Sequence, residues 1–84
     1  MSGQWWVYVL ECADGSLYTG VARDIERRLA QHNGLIAGGP KYTRGRRPVV
    51  LRWQEAAPDR SSAQQREAQI KSFSRQQKLS LLGA

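Results

Sequence analysis

The first mostly apolar stretch of the chain, WWVYVLE over Trp5–Glu11, mixes aromatic and β-branched residues and predicts a strand. A turn signal, ADGS, follows it, and LYTGV over residues 17–21 predicts the returning strand. Asp24 stands where it can cap a helix over Ile25–His32, on which Ile25 and Leu29, one turn apart, form the buried stripe. Asn33-Gly34 stops that helix. Residues 34–48, GLIAGGPKYTRGRRP, are rich in glycine and carry no period; they predict a long loop with room for a short helical turn. A loop of this length in a small domain is more often functional than idle. VVLRWQ over residues 49–54 predicts a third strand. Ser61-x-x-Gln64 has the form of a capping box and predicts a helix to about Ser72; Ser74-x-x-Gln77 repeats the form and predicts a last short helix, with Gly83 beyond it. The order β-β-α-loop-β-α-α predicts an α+β fold, a small three-stranded antiparallel sheet flanked by helices.

The first hairpin decides where its two tyrosines point. Asp14-Gly15 most often signals a two-residue turn, which would set Tyr8 across from Val21 and send Tyr8 and Tyr18 to opposite faces. A three-residue loop, Ala13-Asp14-Gly15, with Gly15 left-handed, shifts the register by one. Tyr8 then faces Gly20, and Tyr18 faces Leu10. The second register gathers Val7, Val9, Leu17, Thr19 and Val21 on one face as an aliphatic core. It leaves both rings on the other face, with the missing side chain of Gly20 opening space for Tyr8.

Length and charge narrow the field. With 84 residues the chain reads as one domain, 1–84, that buries only roughly 60–65% of its unfolded surface. Thirteen Lys and Arg against seven Asp and Glu give a net charge of +6, which favours a polyanionic partner. Seven cations and no acid lie between Arg27 and Arg52. Lys41, Arg44, Arg46 and Arg47 read as a surface that grips a phosphate backbone, with Tyr42 at its rim. Cys12 is the sole cysteine, so no intrachain disulfide forms. The start, MSGQWW, has no charged region before an apolar run, and no run is long enough to span a membrane. Cytoplasm is the expected setting, with no membrane role.

Trp6-Val7-Tyr8, then Tyr18-Thr19-Gly20 ten residues after the first tyrosine, resembles the paired signature of the GIY-YIG nuclease superfamily. Arg28, His32 and Glu67 follow at similar spacing, and the resemblance spans about residues 5–78, closest to the small stand-alone members. The first motif reads Trp-Val-Tyr for Gly-Ile-Tyr and the second Tyr-Thr-Gly for Tyr-Ile-Gly; both tyrosines and the last glycine are kept.

The resemblance implies cleavage of phosphodiester bonds with one divalent metal, Mg2+ or Mn2+, on Glu67. It implies catalytic roles for Tyr8, Tyr18, Arg28, His32 and Glu67. Arg28 would grip phosphate oxygens with a permanent planar cation; a solvated face paired to Asp24 is its bland alternative. Glu67 falls on the stripe of Ala63 and Ile70, where a carboxylate needs a cation. Tyr8 would orient the attacking water and accept its proton, with nearby cations lowering its pKa. Tyr18 would bond the phosphate or the leaving side, the two roles being exchangeable. His32 shares the Arg28 face and would hold the water, contact phosphate or act as an alternative base; a cap or a surface group is its alternative reading. The substrate implied is DNA, branched or single-stranded, chosen by structure because phosphate contacts carry no sequence information. A protein partner for targeting suits so small a module. A non-catalytic nucleic-acid-binding module of the same fold is the competing reading.

Overall fold

The computed structural model describes residues 4–83. Residues 1–3, the beginning of the stretch read above for a leader segment, and residue 84 lie outside the described residues. Strand β1 (Trp5–Glu11) is the middle of an antiparallel sheet, with β2 (Leu17–Ala22) on one edge and β3 (Val50–Ala57) on the other. Helix α1 (Ile25–His32) and the single turn α2 (Lys41–Arg44) lie between β2 and β3 in the chain; α3 (Arg60–Lys71) and α4 (Arg75–Leu81) complete it. Among the described residues no helix is long and apolar enough to cross a membrane.

The hairpin adopts the three-residue register. The Cys12 amide donates to the Ser16 carbonyl at 2.9 Å, and the Gly15 amide to the Cys12 carbonyl at 2.9 Å. Gly15 sits at φ +84°, in the left-handed region. The Asp14 carboxylate braces the turn, accepting from the Ser16 amide and hydroxyl. Tyr8 therefore pairs with Gly20 and Tyr18 with Leu10.

Alternation along β1 then builds two cores. Val7 and Val9 pack with Ala57 and with Ala63 and Ile70 of α3, and Leu17, Val21, Phe73 and Leu81 close that side. Tyr8, Leu10 and Cys12 face the other way, with Ala22 and Val49, beneath Ile25 and Leu29 of α1. A bulge in β3 serves both cores. Val9 pairs with Trp53 and Leu10 with Leu51, so Arg52 is the extra residue. Leu51 and Trp53, two apart in sequence, thereby reach opposite faces.

Four boundaries differ from the sequence reading, the first being that β3 starts at Val50 and not at residue 49. β3 runs to Ala57 rather than residue 54, because β1 offers ladder partners as far as the Trp5–Ala57 pair. β2 gains Ala22 in the same way, through its pairing with Trp6. Helix α3 starts at Arg60, capped by Asp59 and not by Ser61: the Asp59 carboxylate accepts from the Ser62 amide at 2.7 Å. A full negative charge suits a helix N-terminus better than a hydroxyl. The Ser74–Gln77 capping box of α4 forms as read, with Gln77 N to Ser74 Oγ at 3.2 Å and Ser74 N to Gln77 Oε1 at 2.8 Å.

Thr19 is a local imperfection. It is buried with its hydroxyl lacking a hydrogen bond among the described residues. Thr19→Val keeps the shape and removes the orphan group, so it should stabilise the fold by about 1 kcal/mol. For a domain of this size that raises the melting temperature by about 4–8 °C in a thermal melt. An unchanged melting temperature would mean that the hydroxyl is satisfied by water.

Candidate active site

The long loop closes onto the end of α1. Asn33 caps the helix, Gly34 follows at φ +75°, and its amide donates to the Gln31 carbonyl at 3.1 Å, while Leu35 donates to Ala30 at 2.9 Å. Asn33 also clamps Val49 at the far end of the loop, donating to its carbonyl at 3.0 Å and accepting from its amide at 2.7 Å. The loop so held carries the buried Thr43 on α2 to a position beside His32.

A polar aromatic cluster results on the α1 face of the sheet. The Tyr8 and Tyr18 rings stack with centroids 6.4 Å apart; His32 lies edge-on to both, 5.8 Å from Tyr8 and 4.9 Å from Tyr18. Tyr42 extends the row, 5.5 Å from Tyr18. Gly20 makes this packing fit. A Cβ there would sit 2.5 Å from the Tyr8 hydroxyl, so any larger residue would displace the ring.

Hydrogen bonds give the cluster a direction. Thr43 Oγ1 donates to the Pro40 carbonyl at 3.3 Å. Its oxygen is then the acceptor for His32 Nδ1–H at 3.0 Å. That assigns the tautomer and leaves Nε2 bare to accept the Tyr8 hydroxyl at 3.0 Å. Thr43 was not legible as a site residue, since a threonine eleven positions after a histidine carries no signal of its own.

Burial sets the charge state of this chain. His32 is fully buried, not a surface cap, and its pKa is lowered to about 4, by burial first and then by the Arg28 and Arg47 cations. Tyr8 is pushed up to about 12, a correction to the expected lowering: burial dominates, Arg28 pulls down, and Tyr18 and Glu67 add to the rise. Both groups are neutral at pH 7.

The histidine has a stability consequence. Unfolded, it titrates near 6.5; folded, near 4. Between those values the unfolded state binds more protons, so stability is full above pH 6.5 and declines as pH falls toward 4, by up to about 3 kcal/mol. Chemical denaturation at pH 7.5 and pH 4.5 should show this loss, and His32→Gln should flatten it.

Arg28 is half-buried and points toward the cluster, whereas Arg27 is exposed. Its Nη1 donates to Gln31 Oε1 at 2.8 Å and to the Gly38 carbonyl at 3.1 Å. It has no ion pair, with Asp24 or any other acid, among the described residues. Asp24 instead caps α1 by accepting from the Arg27 amide at 3.0 Å. A fixed guanidinium without a carboxylate partner is a ready site for a phosphate.

Glu67 comes from α3, whose Ala63 and Ile70 pack on the Val7 face of the sheet; its charge reaches Tyr8 and adds to the rise of the Tyr8 pKa. Its side chain is 21% exposed and pairs through Oε2 with Lys71 at 3.2 Å. Oε1 has no hydrogen bond among the described residues. Among the described residues no three His, Cys, Asp or Glu converge on a metal position. One carboxylate with a free oxygen fits Mg2+, which keeps most of its waters and takes the rest of its ligands from substrate phosphates.

The basic stretch divides in two. Arg47 donates from Nε to the His32 carbonyl at 2.8 Å and lies over Gly34, so it is bound to the helix end. Arg46 pairs with Asp14 at 3.1 Å, donates to the Tyr42 carbonyl at 2.7 Å and stacks on the Tyr42 ring at 4.2 Å. Arg52 is paired with Glu11. Lys41 and Arg44, with Arg27 of α1, are exposed and without an ion pair among the described residues, and are free to meet a backbone phosphate.

The two-core α+β sheet, with Tyr8 and Tyr18 stacked on the face beneath α1, has the nuclease-like fold that its family match implies. The chain belongs to the GIY-YIG family: the model of the GIY-YIG catalytic domain matches residues 4–80. It is 52% identical over 77 residues to a UPF0213 protein of Staphylococcus saprophyticus, covering 92% of each chain. It is also 52% identical over 75 residues to a UPF0213 protein of Halobacterium salinarum, covering 89% of this chain and 95% of that one. The solution structure of the UPF0213 protein BH0048 from Bacillus halodurans has the same fold, with a TM-score of 0.61 and 40% identity over 95% of this chain and 83% of that one. GIY-YIG is a nuclease superfamily whose members generally use a divalent metal.

Proposed function

We propose that this chain is a single-module, cytoplasmic endonuclease that hydrolyses phosphodiester bonds in DNA with Mg2+ or Mn2+, choosing its substrate by structure. The observation that carries the reading is the directed chain from Tyr8 through His32 to Thr43, set beside an unpaired Arg28. Arg28 receives the scissile phosphate by two of its N–H groups. The attacking water passes a proton to the Tyr8 oxygen while the Tyr8 proton moves to His32 Nε2. The products of that transfer are hydroxide and imidazolium, with Tyr8 neutral throughout. Tyr8 never becomes the phenolate that its raised pKa opposes, and the imidazolium on His32 forms only as the water gives up its proton. Burial is the main cause of the low His32 pKa; phosphate bound at Arg28 offsets one of the two cations that add to it, so substrate makes the imidazole more basic. Tyr18 stacks beside this pair and contacts the phosphate or the leaving oxygen. Glu67 would hold the metal, which supplies Lewis-acid charge to the phosphate. Lys41 and Arg44 hold flanking phosphates, and a partner protein supplies further targeting.

The test is direct. End-labelled forked, single-stranded and duplex DNA are incubated with the full chain and Mg2+ or Mn2+, with and without chelator. Chelator-sensitive cleavage is expected. Salt-sensitive binding with no cleavage under either metal would make the chain a binding module of this fold.

A further inference from the structure

We propose that Leu35 and Ile36 form a fixed apolar wedge that enters the base stack where paired DNA meets unpaired DNA, next to the scissile phosphate. The inference rests on the nucleic-acid reading above and assigns the feature that selects substrate. Leu35 is 77% exposed and Ile36 40% exposed. In the helix stop that Gly34 makes, the residue at the position of Leu35 usually packs back on the helix. Here its amide is bonded to Ala30 but its side chain stands in solvent.

The tip is held on both sides. Gly34 at φ +75° and Gly38 at φ +111° bracket it, and the Gly38 position lies against the Gln31 side chain. The Gly38 carbonyl accepts from Arg28 Nη1 at 3.1 Å. The apolar tip is thus tied through one hydrogen bond to the guanidinium placed on the phosphate.

Charge selects the occupant. The tip lies within the run from Arg27 to Arg52 that contains no acid. A second copy of this chain would bring the same positive charge to the contact. DNA brings negative phosphates together with apolar base faces, and a forked end exposes those faces where fully paired duplex does not. Apolar side chains placed between bases are an established way to open or kink a helix.

The test uses the double variant Leu35→Ser/Ile36→Ser, both sites being on the surface. Circular-dichroism melting confirms that it folds. Binding is measured without metal on a fork and on a duplex of the same sequence, with 2-aminopurine at the branch. Wild type should bind the fork about tenfold to a hundredfold more tightly and raise the probe's fluorescence as the base unstacks. The variant should bind both within about twofold and leave the fluorescence unchanged. A variant that keeps the preference and the signal overturns the wedge. So does sedimentation showing a wild-type dimer that the variant loses, since the occupant would then be another copy. Absence of cleavage in wild type overturns the nuclease reading alone, because neither readout here depends on cleavage.

Discussion

Tyr8→Phe should reduce single-turnover DNA cleavage by about a hundredfold to ten-thousandfold at pH 7.5, with DNA affinity changed by no more than about threefold. The substitution removes one oxygen. The phenyl ring still stacks on Tyr18 and still fits above Gly20, so the geometry of the cluster is kept. The lost group is the hydroxyl that donates to His32 Nε2 at 3.0 Å. Water would then have no phenol oxygen to receive its proton, and the imidazole would lose its link to the reacting centre. A buried, unpaired Nε2 also destabilises the fold by about 1–3 kcal/mol, so assays are run well below the melting temperature. Stability and rate separate cleanly, because a variant that is folded and DNA-bound at the assay temperature reports chemistry alone. Cleavage by Tyr8→Phe at the wild-type rate would remove Tyr8 from the proton path and leave Tyr18 as the phenol to test.

What the chain discloses in advance depends on how local the cause is. The hairpin register was legible because two local facts agree: Gly15 tolerates the left-handed region, and only one register puts Leu17 and Val21 on the face of Val7 and Val9 and Tyr18 on the face of Tyr8. The caps at Asp24 and Ser74 were legible for the same reason, each being a side chain bonding an amide three residues away. Asp59 and Ser61 are both good caps two residues apart, and the pattern Ser-x-x-Gln selects the wrong one. Non-local causes stayed hidden. No pattern says that the Arg47 guanidinium bonds back to the His32 carbonyl while Arg44 has no ion pair among the described residues. The direction of the Tyr8 shift depends on burial exceeding the pull of Arg28, a contest that only the packed structure decides. The same holds for Thr43, whose contribution exists only once the loop has closed.

Glu67→Gln should abolish metal-dependent cleavage, with a loss of about a thousandfold or more at any Mg2+ or Mn2+ concentration. The amide keeps the length of the side chain and suits a helix equally well. The ion pair with Lys71 is partly exposed and contributes little, so the melting temperature should move by only about 1–2 °C. The charge of Glu67 raises the Tyr8 pKa, so neutralising it makes the phenol easier to ionise. The variant therefore loses nothing in the readiness of the phenol to give its proton to His32 Nε2. A deep loss of rate runs against that sign and leaves the holding of a cation near the phosphate as the role of the carboxylate. Titrating Mn2+ against cleavage distinguishes the two: wild type should saturate, and the variant should stay inactive across the range. A Glu67→Gln protein that cleaves at wild-type rates would show that the carboxylate only pairs with Lys71, and the divalent ion, if required, would be carried by the substrate.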